Sequence, residues 1–232
     1  MTIVTPTYGS TFAGDVLCQN GTDLTKVESS FVVPTVTDPA VFAGNPLVDT
    51  RLFIGAQDQN GYLFGGGVEI QRTPGGAETV HLYAQGSNLG YAWVDTGSHT
   101  INVGDTIDVS VGLGTGSNLK ITFTDTTQGF SVVQALSTDA ANGHFGGGGY
   151  ALEGLVANTN PSYGWAGLDA PVHFGAATVL GNGGIPVTSG YDFQCNVSQT
   201  STAGGLQAGD WTTHTGTVLS GLTITGTNLA PV

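Results

Sequence analysis

Tyr150-Ala-Leu-Glu-Gly-Leu-Val-Ala157 is the stretch on which the reading of this chain turns. It follows the four glycines 146–149 and reads as a buried strand that carries one carboxylate, Glu153. A charged group among apolar strand residues needs a reason, because burying an unpaired charge is costly. Glu153 is a hydrogen-bonded structural acid, a strand residue facing solvent, or a working acid in a groove. The rest of the chain bears on which.

Outward from this stretch, helical periodicity is hard to find. Short β-rich runs recur between clusters of Gly, Asn, Pro and Asp, the signature of a sandwich or barrel. Residues 26–36 alternate Val27, Ser29, Phe31 and Val33 against polar or smaller neighbours, and Pro34 marks the end of the run. Further strands are expected at 11–18, 51–55, 62–71, 78–85, 91–95, 106–112, 119–124, 130–136, 172–180, 191–197 and 218–225, with loops at 37–50, 137–149 and 158–170. The composition never breaks. The expectation is one all-β domain over 1–232, two large antiparallel sheets packed together with one concave face.

The composition narrows the function classes. At 232 residues a real core can form. The formal net charge is −13, with Lys26, Arg51, Lys120 and Arg72 as the fixed cations. That balance argues against nucleic acid and anionic membrane as partners. Thr, Ser, Asn and Gly supply the polar surface in place of charge, and such a surface tolerates low pH better than one held by many ion pairs. No apolar run approaches a membrane span. Residues 1–15 show neither the basic nor the apolar region of a signal peptide. Cys18 and Cys195 could close one long loop or remain two thiols. Asn20 and Asn196 open the pattern of a glycosylation acceptor.

Three stretches resemble one known family, the glutamic peptidases (eqolisins, peptidase family G1). Ser10-Thr-Phe-Ala-Gly14, followed by Val27-Glu-Ser-Ser-Phe-Val-Val-Pro-Thr-Val36, is similar to the family's opening. Gly104-Asp-Thr-Ile-Asp-Val-Ser-Val111 with Ile121-Thr-Phe-Thr-Asp-Thr-Thr127 resembles its Gly-Asp strand and the hairpin after it. Ala151-Leu-Glu-Gly-Leu-Val156 with His173-Phe-Gly-Ala-Ala-Thr-Val179 resembles the catalytic-glutamate strand and the element that follows. Order and spacing agree over about 8–180, leaving 181–232 as a C-terminal extension with the last strand.

The resemblance implies a jelly-roll-like, concanavalin-like sandwich with the active site on the concave face. It implies an acid endopeptidase in which a Glu activates water and a Gln amide holds the oxyanion. A carboxylate in reach of a water can accept its proton, and a fixed amide N–H stabilises charge on the carbonyl oxygen. Glu153 matches the catalytic glutamate. The glutamine falls on Gly65 in one register and on Gln71 in a longer one. If the strand is regular, 65, 67, 69 and 71 share a face, so Glu69 or Gln71 lines the same groove. The family's aspartate is replaced by Gln57, its opening Trp by Phe12, and its Ala-Trp-Tyr-Glu strand falls on 80–83 or on Ala92-Trp-Val-Asp95. No cofactor is implied. Secretion is favoured by family and composition.

Other constellations are weaker. His81, His99, His144, His173 and His214 show no metal spacing. Trp93, Trp165 and Trp211 are core residues or stacking platforms. Two functions stand side by side. One is an acid endopeptidase taking an extended peptide, with Glu153 as base and Gln71 as amide, and Phe12, Gln57, Gly65, Glu69, Trp93 and Asp95 lining the groove. The other is a groove without proteolysis that binds a peptide, carbohydrate or small molecule, or runs other chemistry.

Overall fold

The computed structural model describes residues 12–20, 23–37, 48–58, 63–72, 78–86, 90–113, 119–135, 148–156, 164–165, 167–168, 170–195, 198–199, 209–210 and 212–226. Their strands are β1 (Phe12–Asn20), β2 (Leu24–Val32), β3 (Val36–Thr37), β4 (Val48–Gln57), β5 (Leu63–Arg72), β6 (Glu78–Gly86), β7 (Gly90–Trp93), β8 (Thr106–Leu113), β9 (Leu119–Asp125) and β10 (Phe130–Ala135). The chain continues through β11 (Gly148–Val156), β12 (Gly164–Trp165), β13 (Gly167–Leu168), β14 (Val172–Phe174), β15 (Thr178–Gly181), β16 (Tyr191–Cys195), β17 (Ser198–Gln199), β18 (Gly209–Asp210), β19 (Thr212–Thr217) and β20 (Gly221–Gly226). One turn of 3-10 helix, Asn182–Gly184, follows β15.

Two eight-stranded sheets form the sandwich. The first has the order β16-β1-β11-β4-β5-β6-β7, with β12 added parallel to β4. The second has the order β10-β9-β8-β2-β14-β20-β19, with β15 also on β2. Apart from β12, the described pairings within these sheets are antiparallel.

Period-two alternation decides which side chains meet between the sheets. In β8 it is strict, with Ile107, Val109, Val111 and Leu113 inward. From the first sheet Ala13, Leu17, Leu52, Ile54, Ala56, Phe64, Val68, Ile70, Leu82, Ala84, Ala151 and Leu155 join the same core. Fully burying each large apolar side chain contributes about 1.5–3 kcal/mol. Gly66 shows how closely the layers approach: a Cβ there would lie 2.8 Å from Phe123 Cζ of β9.

The details depart from the expected elements: β4 begins inside the expected loop 37–50, and β12 and β13 lie inside the expected loop 158–170. The run 172–180 divides into β14 and β15, because Gly175 and Ala177 turn their N–H groups to Ser30 and Val218 carbonyls. The strand β19 has no apolar residue, and its Thr-Thr-His-Thr-Gly-Thr sequence gave no hydrophobic signal. The two cysteines are not register partners. Cys18 is in register with Tyr191 and Cys195 with Gly14, four residues along adjacent strands. At roughly 3.3 Å per residue that separation is far beyond the reach of a disulfide. His144, Asn196 and Trp211 lie outside the described residues, as do the side chains of Phe12 and Trp165.

Candidate functional site

The face of the first sheet that points away from the second carries positions 65, 67, 69 and 71, the set expected to line the groove. Its side chains follow from register. One row across the sheet is Arg51, Glu69 and His81; the next is Gly154, Phe53, Gly67, Tyr83 and Trp93; the third is Val16, Leu152, Gly55, Gly65 and Gln85. Val16, Phe53, Tyr83 and Leu152 form a second apolar cluster, separate from the inter-sheet core, with Leu63, Tyr91 and Tyr150 packed on it.

Gly65 sits at the centre of this face, and the space above it is taken. A Cβ on Gly65 would stand 2.4 Å from the Ile54 carbonyl oxygen and 2.6 Å from Phe53 Cζ. The Phe53 ring covers Gly55 in the same way, with Cζ 2.6 Å from a Cβ built there. Gly67 is closed still more tightly: a Cβ there would stand 1.8 Å from the Leu52 carbonyl oxygen. The glycines of β4 and β5 let an aromatic ring lie flat on the strands.

Beside this floor lies a polar network centred on Glu69, which is 1% exposed. Arg51 donates from Nε (3.0 Å) and from its terminal nitrogen (2.9 Å) to Glu69 Oε1. The Tyr91 hydroxyl and Trp93 Nε1 (2.6 Å) donate to Oε2. Trp93 Nε1 also reaches the Tyr91 hydroxyl at 2.8 Å. The Arg51 guanidinium stacks over the Tyr91 ring, 4.0 Å from its centroid. His81 lies parallel to Trp93 with centroids 4.0 Å apart. Burial first, and then Glu69 beside it, raise the Tyr91 hydroxyl well above the usual phenol range. Both oxygens of Glu69 are thus engaged by donors. Trp93 is held in plane by its ring nitrogen yet is 51% exposed at the end of the floor.

Glu153 is elsewhere. Its register partners are Asp15 and Ile54, and its neighbours two positions away, Ala151 and Leu155, belong to the inter-sheet core. The carboxyl is fully buried between the sheets, where desolvation above all, with Asp15 adding to it and Ser29 opposing it, raises its pKa to about 8. Leu152 and Gly154 are the β11 residues that face outward. The structure thus places Glu153 on the inter-sheet side of β11, the opposite face from Glu69 and Gln71.

Gln71 does share the outer face with Glu69, half-buried, in register with Asp49 and Thr79. Gly66 is level with Ile54 and so with Glu153; Gln71 is five residues farther along β5 and on the other side of the sheet. At roughly 3.3 Å per residue, Glu153 and Gln71 cannot share one water. Gln57, 8% exposed, ends β4 opposite Tyr150 and Leu63. Asp95 lies beyond β7 in a turn, accepting the Gly97 N–H at 2.8 Å. Phe12 is in register with Val156 at the end of β1.

Sequence reasoning missed Arg51, Tyr83 and Tyr91. Arg51 and Glu69 become neighbours only once the β4–β5 register is known. The signal available for Tyr91 was its spacing from Trp93, which puts both on one face. Among the described residues, no group of three His, Cys, Asp or Glu could hold a metal ion.

Comparison with known proteins agrees with this architecture. The model of the Peptidase A4 family matches residues 10–147, ending just before β11. Scytalido-glutamic peptidase, solved with a peptide-based transition state analog, superposes with a TM-score of 0.69 at 16% identity, over 94% of this chain and 98% of that one. SCP-B, an eqolisin solved with the tripeptide Ala-Ile-His, gives 0.65 at 17% identity over 94% and 98%. Aspergilloglutamic peptidase from Aspergillus niger gives 0.55 at 17% identity over 78% and 99%. No curated protein sequence matches the chain.

Proposed function

Since the chain belongs to the peptidase A4 family, we propose that it keeps the family's peptide-taking face without the family's hydrolytic chemistry: it binds an extended peptide on the outer face of the first sheet and does not cleave it. The observation that carries this reading is the orientation of β11, which turns Leu152 and Gly154 outward and Glu153 inward. General-base catalysis needs a carboxylate within reach of the attacking water, and Glu153 has a sheet between it and that face. The other half of the chemistry, an amide donor, is also missing at Gly65, whose space is filled by Phe53. Glu69 is on the correct face, but three side chains donate to its two oxygens, which leaves it poorly suited to accept a proton.

Binding is supported by Trp93, held by its ring nitrogen yet half exposed at the edge of the buried Phe53–Tyr83 cluster, and by the half-buried Gln71 on the same face. Two of the solved structures with this fold carry peptide-like molecules: the tripeptide Ala-Ile-His in SCP-B and a peptide-based transition state analog in scytalido-glutamic peptidase. The test is tryptophan fluorescence of the wild-type chain and Trp93→Phe, titrated in parallel with extended peptides and with oligosaccharides. A saturable change with peptides that Trp93→Phe loses is the expected result. Response to oligosaccharides alone would replace the peptide with a carbohydrate, and response to neither would remove the binding reading.

A further inference from the structure

The strands β1 and β11 place two acids side by side in the middle of the sandwich. Asp15 and Glu153 are register partners, both fully buried, both facing the second sheet. They are held differently. Asp15 Oδ2 accepts the Val218 N–H at 2.8 Å, a backbone group in the turn between β19 and β20. Both Glu153 oxygens are buried without a hydrogen bond of good geometry.

The elements packed around the pair offer Glu153 no cation. From β4 the facing residue is Ile54 and from β2 it is Ser29, whose hydroxyl donates to the Gly175 carbonyl (3.0 Å) and is near enough to ease a charge on Glu153. Lys26 and Glu28 alternate to the other side of β2, where they pair with each other. On β14, His173 is exposed and bonded to Thr223 of β20. The inward residues of β14 and β20 are Val172, Phe174, Leu222 and Ile224. Asp15 is the one charged group among the described residues that bears on Glu153.

We propose that Asp15 and Glu153 together hold one proton inside the sandwich, and that its loss loosens the β19–β20 hairpin from the first sheet. Asp15 is the carboxylate, anchoring the hairpin through Val218, and Glu153 is the neutral acid. Two adjacent carboxylates in a dry interior repel and draw in water. The contact that yields is the Asp15 side-chain anchor to the hairpin turn. Burial, reinforced by Asp15, sets the pKa of Glu153 at about 8 against an ordinary 4.5. The stability this proton brings is therefore full below the ordinary carboxyl range and is lost as the pH rises through about 8. The device does not depend on what the outer face binds.

The experiment follows the full chain from about pH 5 to pH 9, as wild type and as Glu153→Gln, by thermal unfolding and by amide exchange corrected for the intrinsic rate. In wild type the unfolding midpoint falls from about pH 5 to about pH 8 and levels off above it, and protection of 212–226 drops at least about tenfold relative to β8 as the pH passes through about 8. Glu153→Gln holds both nearly constant. Parallel loss in the two proteins, or no loss in wild type, overturns the proposal. A wild-type measurement stands if the variant does not fold. The carbonyl stretch of a buried protonated carboxyl must be present in the infrared spectrum near neutrality and vanish with the hairpin's protection, and its absence near neutrality overturns the proposal equally.

Discussion

Glu69 shows what a single buried charge demands. Its carboxylate is out of water, so it persists only with donors on both oxygens, and Arg51, Tyr91 and Trp93 supply them. Removing the cation alone leaves the charge behind. Arg51→Ala is expected to lower the unfolding free energy by about 3 kcal/mol in a urea titration, whereas Trp93→Phe, which removes one of several donors at a half-exposed site, should lower it by about 1 kcal/mol. Gly65 makes the complementary point through space rather than charge. Restoring an amide with Gly65→Gln forces a Cβ against the Ile54 carbonyl oxygen and the Phe53 ring. The variant is expected to lose about 2 kcal/mol or more, measured the same way, and to gain no hydrolytic activity.

At the level of the element, β11 decides what the protein can do. Moving a strand by one residue exchanges its two faces. The residues 150–156 carry tyrosine, leucine, glycine and valine on one parity and alanine, glutamate and leucine on the other. Both are apolar enough to be buried, and both are: Leu152 lies in the outer cluster and Ala151 and Leu155 in the core. That is why the strand was legible in the sequence and the direction of Glu153 was not. In β8 the polar residues Asp108 and Ser110 mark the outer face, and there direction and strand can be read together. The face shared by 65, 67, 69 and 71 was likewise readable from alternation, but the packing of Phe53 over Gly65 was not, since it depends on a ring from the neighbouring strand.

The hairpin β19–β20 is the opposite case: Val218, Leu222 and Ile224 are buried in the core, while β19 itself has no apolar residue and is placed by the turn and by pairing with β20. Gly216 has φ +86° and its missing Cβ would meet the Gly221 carbonyl oxygen at 2.0 Å. Gly216→Ala is expected to cost about 1–3 kcal/mol. In amide exchange it should expose 212–226 well before the β8–β9 pair.

The whole molecule is strongly acidic, with a net charge of −13, and its interior carries a titrating acid of its own. The two effects point the same way. Raising the pH increases self-repulsion at the surface and removes the Glu153 proton within. Between the ordinary carboxyl value of 4.5 and about 8, Glu153 accounts for a loss of on the order of 5 kcal/mol. Stability should accordingly be greater at pH 5 than at pH 9, and denaturant midpoints in acidic and alkaline buffer measure the difference.

The central claim, that the family's sandwich is kept here while its hydrolytic chemistry is not, is tested most directly by incubating a denatured protein substrate with the folded chain from pH 2 to pH 5 and weighing the products by mass spectrometry. The expected result is intact substrate with wild type and with Glu153→Gln alike. Cleavage by wild type that disappears in Glu153→Gln would contradict it, because it would place a working base where the structure has a buried acid.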